Sequence, residues 1–181
     1  MVGNDIVDLI ETKKTTNWQR PRFLDKLFTL KEQELIKSCK DSFLMVWRLW
    51  SMKEAAYKLY TQLYPSRFYN PKGFACDIKQ LKVHYRNFQC FIKTKITANY
   101  ILSEARLVDY AMTSKVVMFN DNPLETQSNM LKTQLSEFCN TTRERMDFNK
   151  NKFGVPTINY KAQRVTISMT HHGNYGAFAV A

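Results

Sequence analysis

The chain has 181 residues, enough for one compact domain or two small lobes, and its 44% apolar and 13% aromatic content excludes wholesale disorder. Lys and Arg number 27 against 16 Asp and Glu, a formal net charge of +11. That excess favours a polyanionic partner (nucleic acid, an acidic protein or a phosphorylated ligand) without choosing among them. Cys39, Cys76, Cys90 and Cys139 form no C-x-x-C pair, so a zinc ribbon or thioredoxin-like motif is not indicated and free thiols in a reducing cytosol are expected. The opening MVGNDIVDLIETKK carries acids within its apolar run and no basic start, unlike a signal peptide. With no run of about 18 apolar residues to span a membrane, a cytoplasmic location is expected.

In chain order, Val2–Ile10 is short and apolar apart from Asn4, Asp5 and Asp8, and Ile6, Val7 and Leu9 favour a strand. Thr29-Leu30-Lys31-Glu32 has capping-box spacing, which predicts a helix over Leu30–Lys40. Good helix formers predict a second helix over Phe43–Tyr60, which Pro65 prevents from continuing. Val46, Trp47, Trp50, Tyr57 and Leu59 give it apolar bulk on more than one side. Short alternating or apolar pieces then predict antiparallel strands at Phe74–Ile78, Leu81–Phe88, Gln89–Thr97, Tyr100–Val108 and Lys115–Phe119. Asn120–Pro123 is a turn cluster. Leu131, Leu135 and Phe138 predict an amphipathic helix over Leu124–Met146, followed by a polar loop at Asn149–Gly154. Two strands, Arg164–Met169 and Tyr175–Ala181, joined near His171–Asn174, close the chain. Strand runs beside a few helices indicate an α+β fold.

Glu54 and Lys58 stand four apart on one helical face, the spacing of an ordinary surface ion pair. Two neighbours argue for more than that. Their helix is too aromatic for a plain surface helix, and Asp5 sits in an apolar strand, where a charge is costly unless paired or metal-bound. Magnesium takes one or two carboxylates, keeps waters and accepts phosphate oxygens, so Asp5 and Glu54 are candidate ligands. Lys58 is placed to reach the same phosphates, an arrangement suited to attack on a pyrophosphate.

These residues carry a family resemblance. Gly3-Asn4-Asp5-Ile6-Val7-Asp8-Leu9 resembles the G-x-D-I-V-E-I element of holo-acyl-carrier-protein synthases, and Trp50–Lys58 resembles the W-x-x-K-E-A-x-x-K signature of phosphopantetheinyl transferases. Phe23–Glu32 resembles their F-x-x-R-I-L-T-x-x-E segment, and Gly73-Phe74 with Asp77-Ile78 resembles the strand after the signature helix. Gly154-Val155-Pro156 resembles their G-x-P turn, and Ile167-Ser168-Met169-Thr170-His171 with Tyr175 resembles the terminal I-S-x-S-H-x-x-x-Y-A. The matches fall in the family's order and span nearly the whole chain.

The resemblance implies a phosphopantetheinyl transferase-like fold, with an antiparallel sheet packed against the long signature helix. It implies transfer of 4′-phosphopantetheine from coenzyme A to a carrier serine, with release of 3′,5′-adenosine bisphosphate. Asp5, Glu54 and Lys58 are the implied catalytic residues, Asp5 and Glu54 the magnesium ligands, and Lys58, Thr170 and His171 the coenzyme A contacts. The base for the serine is Glu54 or a metal-bound water. His172 has no family counterpart and is read as incidental, and Asp8 suits a helix start or supporting role as well as ligation. Trp47 and Trp50 are read as core.

The expected partners are coenzyme A and an acidic acyl carrier protein, with no nucleic acid and no membrane, and Lys13, Lys14, Arg20 and Arg22 are candidates for the carrier surface. Val7, where longer relatives carry a third acidic ligand, favours the short synthase-like design, whose members are trimers. The chain nevertheless exceeds a minimal synthase, and the whole of 1–181 is read as one domain with an atypical insertion around 120–150. Glu11 stands near the family's basic position, so carrier recognition is expected to differ. The competing readings are a basic nucleic-acid-binding module and a family member that binds coenzyme A or a carrier without turnover.

Overall fold

The computed structural model describes residues 1–119, 126–160 and 163–181. The first apolar run forms strand β1 (Gly3–Asp8), but it stops two residues early because Asp8 caps a helix, α1 (Leu9–Thr15), that periodicity alone does not show. Asp8 Oδ1 accepts the N–H groups of Ile10 and Glu11 at 2.9 and 3.0 Å. A short helix α2 (Phe23–Leu27) precedes α3 (Leu30–Ser38), whose Thr29–Glu32 capping box forms as expected. Asp41 caps α4 (Ser42–Leu63), which runs about 33 Å at the standard rise.

The five strands expected next are present as β2 (Ala75–Asp77), β3 (Lys82–Tyr85), β4 (Phe88–Ile96), β5 (Tyr100–Arg106) and β6 (Lys115–Met118). The Asn120–Pro123 turn lies outside the described residues. The following helix, α5, covers only Gln127–Phe138, and the chain then turns through Asn140 at φ 53° and a 3-10 turn at Arg143–Arg145. Met146, counted toward a longer helix, reaches the same core by that turn. The end holds more strands than expected: β7 (Asp147–Lys150) takes the start of the supposed polar loop, β8 (Pro156–Tyr160) is new, and β9 (Gln163–His172) and β10 (Tyr175–Val180) complete the set.

The fold is α+β, with a long helix packed on an antiparallel sheet, and a second sheet stands beside the first. Their strand orders are β1-β5-β4-β3-β2 and β6-β10-β9-β8-β7. α4 covers the first sheet, burying Met52, Ala55, Ala56 and Leu59 against Phe74, Val83, Tyr85 and Ile92. Much of the aromatic content is spent here: Tyr57, Tyr60, Phe68, Phe74, Tyr85 and Phe88 pack ring against ring, Phe74 and Tyr85 stacking at 4.3 Å. α5 covers the second sheet through Leu131 and Leu135 on Ile158, Ile167 and Phe178.

Two close approaches fix where β1 lies. A Cβ on Gly3 would sit 2.0 Å from the Ala55 carbonyl oxygen, so only glycine lets α4 rest directly on β1. Alternation then turns Asp5 and Val7 to the same side as Gly3, toward the helix. On its other edge, β1 would leave alternate N–H groups unpaired. Side chains of β9 accept them instead: Asn4 N–H donates to Ser168 Oγ at 2.9 Å, Ile6 N–H to Thr170 Oγ1 at 3.4 Å and Asp8 N–H to His172 Nδ1 at 3.0 Å. Buried Glu104 braces the same junction, accepting from the backbone of Thr113 and Ser114 and from Arg106 Nε.

The signature's first lysine is part of the framework. Lys53 is 1% exposed; its ammonium meets Glu32 Oε2 at 2.9 Å and donates to the carbonyls of Pro71 and Phe74. Glu32 Oε1 accepts Cys76 N–H at 2.8 Å, so one ion pair ties α3, α4 and β2 together. Removing one partner leaves a buried charge alone, so Lys53→Met should cost about 3–5 kcal/mol in urea unfolding. A loss under about 1 kcal/mol would show that the pair does not hold these elements.

Candidate active site

Trp47, Trp50, Glu54 and Lys58 recur at helical spacing on one stripe of α4, about 16 Å long from Trp47 to Lys58. β1 brings Asp5 to this stripe. Asp5 is largely buried, and its Oδ1 lies 2.9 Å from Lys58 Nζ and 3.1 Å from Thr170 Oγ1. Lys58 Nζ also donates to the Asn4 carbonyl at 2.9 Å, and Ser51 Oγ donates to the Asp5 carbonyl at 3.1 Å. The carboxylate is therefore oriented by both sheets and the helix. Glu54, one turn before Lys58, has its carboxyl pushed up to about 7, first by burial and then by the negative charge of Asp5, with Lys58 partly offsetting both.

Two clefts meet over this stripe. One, of about 810 Å³, holds Glu54 with Trp50, Tyr57, Arg67 and Tyr69. The other, of about 240 Å³, holds Lys58, Gln62 and His171, with Ser128 of α5 on its far side. Tyr57, Lys150, Phe153 and Gly154 line both. A third cleft, of about 650 Å³, is rimmed by Arg20, Arg22 and Lys26 and shares Trp50 and Tyr69 with the Glu54 cleft.

The donor set fits a magnesium-like ion. Among the described residues no group of three or more His, Cys, Asp and Glu gathers to form an all-protein cage. Glu54 instead offers a hard-oxygen donor on an open cleft and Asp5 a second one behind it, against Lys58, the donor type that a cation keeping waters and taking ligand phosphates requires. The charge of Asp5 raises the cost of ionising Glu54, and the Lys58 ammonium stands against Asp5 as a partial counter-charge.

The structure thus brings Asp5, Glu54 and Lys58 together. His171 stands at the rim of the Lys58 cleft, and partial burial, then Lys58, His172 and Lys150, hold its imidazole below the ordinary value, favouring the neutral ring. Thr170 is buried behind Asp5 and gives its hydroxyl to that carboxylate rather than to the cleft. His172 is not incidental: its Nδ1 caps β1, which leaves the proton on Nε2. Asp8 takes the helix-start role, both its oxygens accepting backbone N–H groups, from Ile10, Glu11 and Asn174. Trp47 is core, packs on Phe23 and Phe43 and touches the third cleft, whereas Trp50 lines both that cleft and the Glu54 cleft. Of the basic candidates, Arg20 and Arg22 border the third cleft, while Lys13 and Lys14 line a separate depression with Phe43. Sequence reasoning passed over Tyr57 and Lys150; the one signal was their nearness to motifs already singled out, Tyr57 within the signature and Lys150 four residues before Gly154.

The Glu54 shift has a consequence for stability. Because its folded value lies above the ordinary 4.5, the fold favours the protonated form, and the benefit is lost as pH rises from about 4.5 through about 7. Ionised Glu54 then costs the metal-free fold on the order of 3 kcal/mol. In chelator at pH 8, Glu54→Gln should melt higher than wild type, with the difference closing below about pH 4.5. Equal melting at both pH values would show that Glu54 is not strained by its surroundings.

The family model described as the 4′-phosphopantetheinyl transferase superfamily matches residues 1–113, which carry β1, the signature helix and Asp5, Glu54 and Lys58. No curated protein matches the chain. The family's reaction is phosphopantetheine transfer, with coenzyme A as substrate, a carrier protein as acceptor and typically a divalent metal. Among the described residues no helix is long and apolar enough to cross a membrane. With the match covering more than half of its length, this chain belongs to the 4′-phosphopantetheinyl transferase superfamily.

Proposed function

We propose that this chain transfers 4′-phosphopantetheine from coenzyme A to a serine of an apo acyl carrier protein, as holo-acyl-carrier-protein synthases do, with magnesium held by Asp5 and Glu54. The observation that carries this reading is the contact of Asp5 with Lys58, one turn from Glu54, where two clefts meet. When bound, the metal would supply a Lewis acid for the phosphate oxygens.

The protein's own residues supply the remainder. Lys58 keeps a proton free for a ligand phosphate after serving Asp5 and the Asn4 carbonyl. His171 presents a donor at the rim of the same cleft. Thr170 holds Asp5 in place and is a positioning residue. The carrier serine oxygen bonds to the β-phosphorus as the bond to the bridging oxygen breaks, and 3′,5′-adenosine bisphosphate leaves with that electron pair. The serine proton passes to a Glu54 carboxylate oxygen, directly or through water.

Coenzyme A enters from the Lys58 side, and the carrier approaches from the third cleft, where the cations of Arg20, Arg22 and Lys26 suit an acidic protein. Tyr57 of α4 and Lys150 of β7 line both the Glu54 and the Lys58 clefts, and the reading treats 1–181 as one catalytic unit. A nucleic-acid-binding role keeps the +11 charge but loses part of its aromatic support, because Tyr57, Tyr60, Phe68, Phe74, Tyr85 and Phe88 pack on one another around α4.

The test is intact mass measurement of apo carrier proteins after incubation with this protein, coenzyme A and magnesium. The expected outcome is a phosphopantetheine mass gain that chelator abolishes and that Glu54→Ala slows by about 10²–10³-fold. No gain on fatty-acid, polyketide and peptide-synthetase carriers, from a protein that binds coenzyme A, would mean binding without turnover. Lys58→Ala should weaken coenzyme A binding by roughly 10- to 100-fold, read by calorimetry. Unchanged affinity would return Lys58 to the role of partner to Asp5 alone.

A further inference from the structure

Among the described residues the Lys58 cleft is lined by cations and neutral groups, with no Asp or Glu. Such a cavity favours a multiply charged anion, yet Lys58 spends two of its three N–H groups on Asp5 and Asn4. A second cation faces it. Lys150, at the end of β7, lines both the Lys58 and the Glu54 clefts, is exposed, and among the described residues has no carboxylate partner.

Lys150 is also held where it stands. It pairs with Pro156 across the β7–β8 hairpin, whose turn Asn151 closes. Asn151 Oδ1 accepts the N–H groups of Phe153 and Val155 at 2.9 and 3.0 Å, and the Asn151 carbonyl accepts Gly154 N–H at 2.9 Å. Gly154 adopts φ +86°, a conformation that other residues resist, and among the described residues nothing lies within 4 Å of where its Cβ would be, so the turn is fixed without crowding the space above it. Across the cleft, the positive charge of Lys150 is felt at His171 on β9.

We propose that Lys150 is a phosphate-binding residue of this cleft, gripping the ligand from the second sheet while Lys58 grips it from α4. This rests on the coenzyme A reading above. It gives β7, which lies beyond the region matched by the family model, a direct part in substrate binding. The phosphate is either the pyrophosphate or the 3′-phosphate of coenzyme A; both present the same dianionic oxygen chemistry to an ammonium group.

The experiment is calorimetric titration of wild type, Lys150→Met and Lys150→Arg with coenzyme A and with dephospho-coenzyme A, alongside kinetics on an apo carrier. Lys150→Met should lose roughly tenfold or more in coenzyme A affinity, Lys150→Arg should retain most of it, and the loss should appear in KM for coenzyme A more than in kcat. A loss confined to coenzyme A places Lys150 on the 3′-phosphate; an equal loss with the dephospho ligand places it on the pyrophosphate. Wild-type affinity in Lys150→Met, with unchanged melting, overturns the proposal. Failure of wild type to bind either ligand would instead overturn the coenzyme A reading and this proposal with it.

Discussion

Asp5 lies in a buried strand, and a carboxylate taken out of water there must find donors and cations among its neighbours. Lys58 and Thr170 meet that need at one oxygen, Lys58 from the helix above and Thr170 from the second sheet beside it. Each contact requires another feature of the fold. Lys58 reaches Asp5 because Gly3 lets α4 lie directly on β1, and Thr170 reaches it because β9 closes the edge of β1 with alternate side chains. The placing of the Asp5 carboxylate and the joint between the two sheets are thus one set of contacts.

The signature on α4 divides its labour accordingly. Lys53 faces inward and is fully paired with Glu32, so its charge serves stability and the placing of α3 and β2. Glu54 faces the cleft, where burial and Asp5 make its charge costly until a cation or proton arrives. Lys58 stands between these roles, pairing with Asp5 and still bordering the cleft. Residues adjacent in sequence thus have opposite electrostatic situations because helical spacing turns them to different sides.

Much of this was legible in the sequence, for identifiable reasons. Asp5 stood out as a charge in an apolar strand, and Glu54 and Lys58 as neighbours on an aromatic helix. The α3 capping box and the hairpin strands β3 to β5 followed from local chemistry. α1 did not, because Leu9 and Ile10 prolong the apolar run and only the bonds from Asp8 show where it turns helical. β7 and β8 were hidden because their hairpin is polar and begins its second strand at Pro156, with little alternation to read. The joint tasks of Thr170 and His172 depend on a register between β1 and β9, more than 160 residues apart, which no local pattern carries. A lysine as buried as Lys53 likewise shows only once Glu32 is seen beside it.

The central claim is that Asp5 and Glu54 form one divalent-cation site in this cleft. Manganese, whose spin reports its binding, can be titrated into wild type, Asp5→Asn and Glu54→Gln in the presence of coenzyme A and followed by electron paramagnetic resonance. The account predicts one tight site in wild type that is lost or greatly weakened in both variants, with coenzyme A still bound through Lys58. Retention of wild-type manganese affinity in both variants would contradict it and move the metal away from these carboxylates.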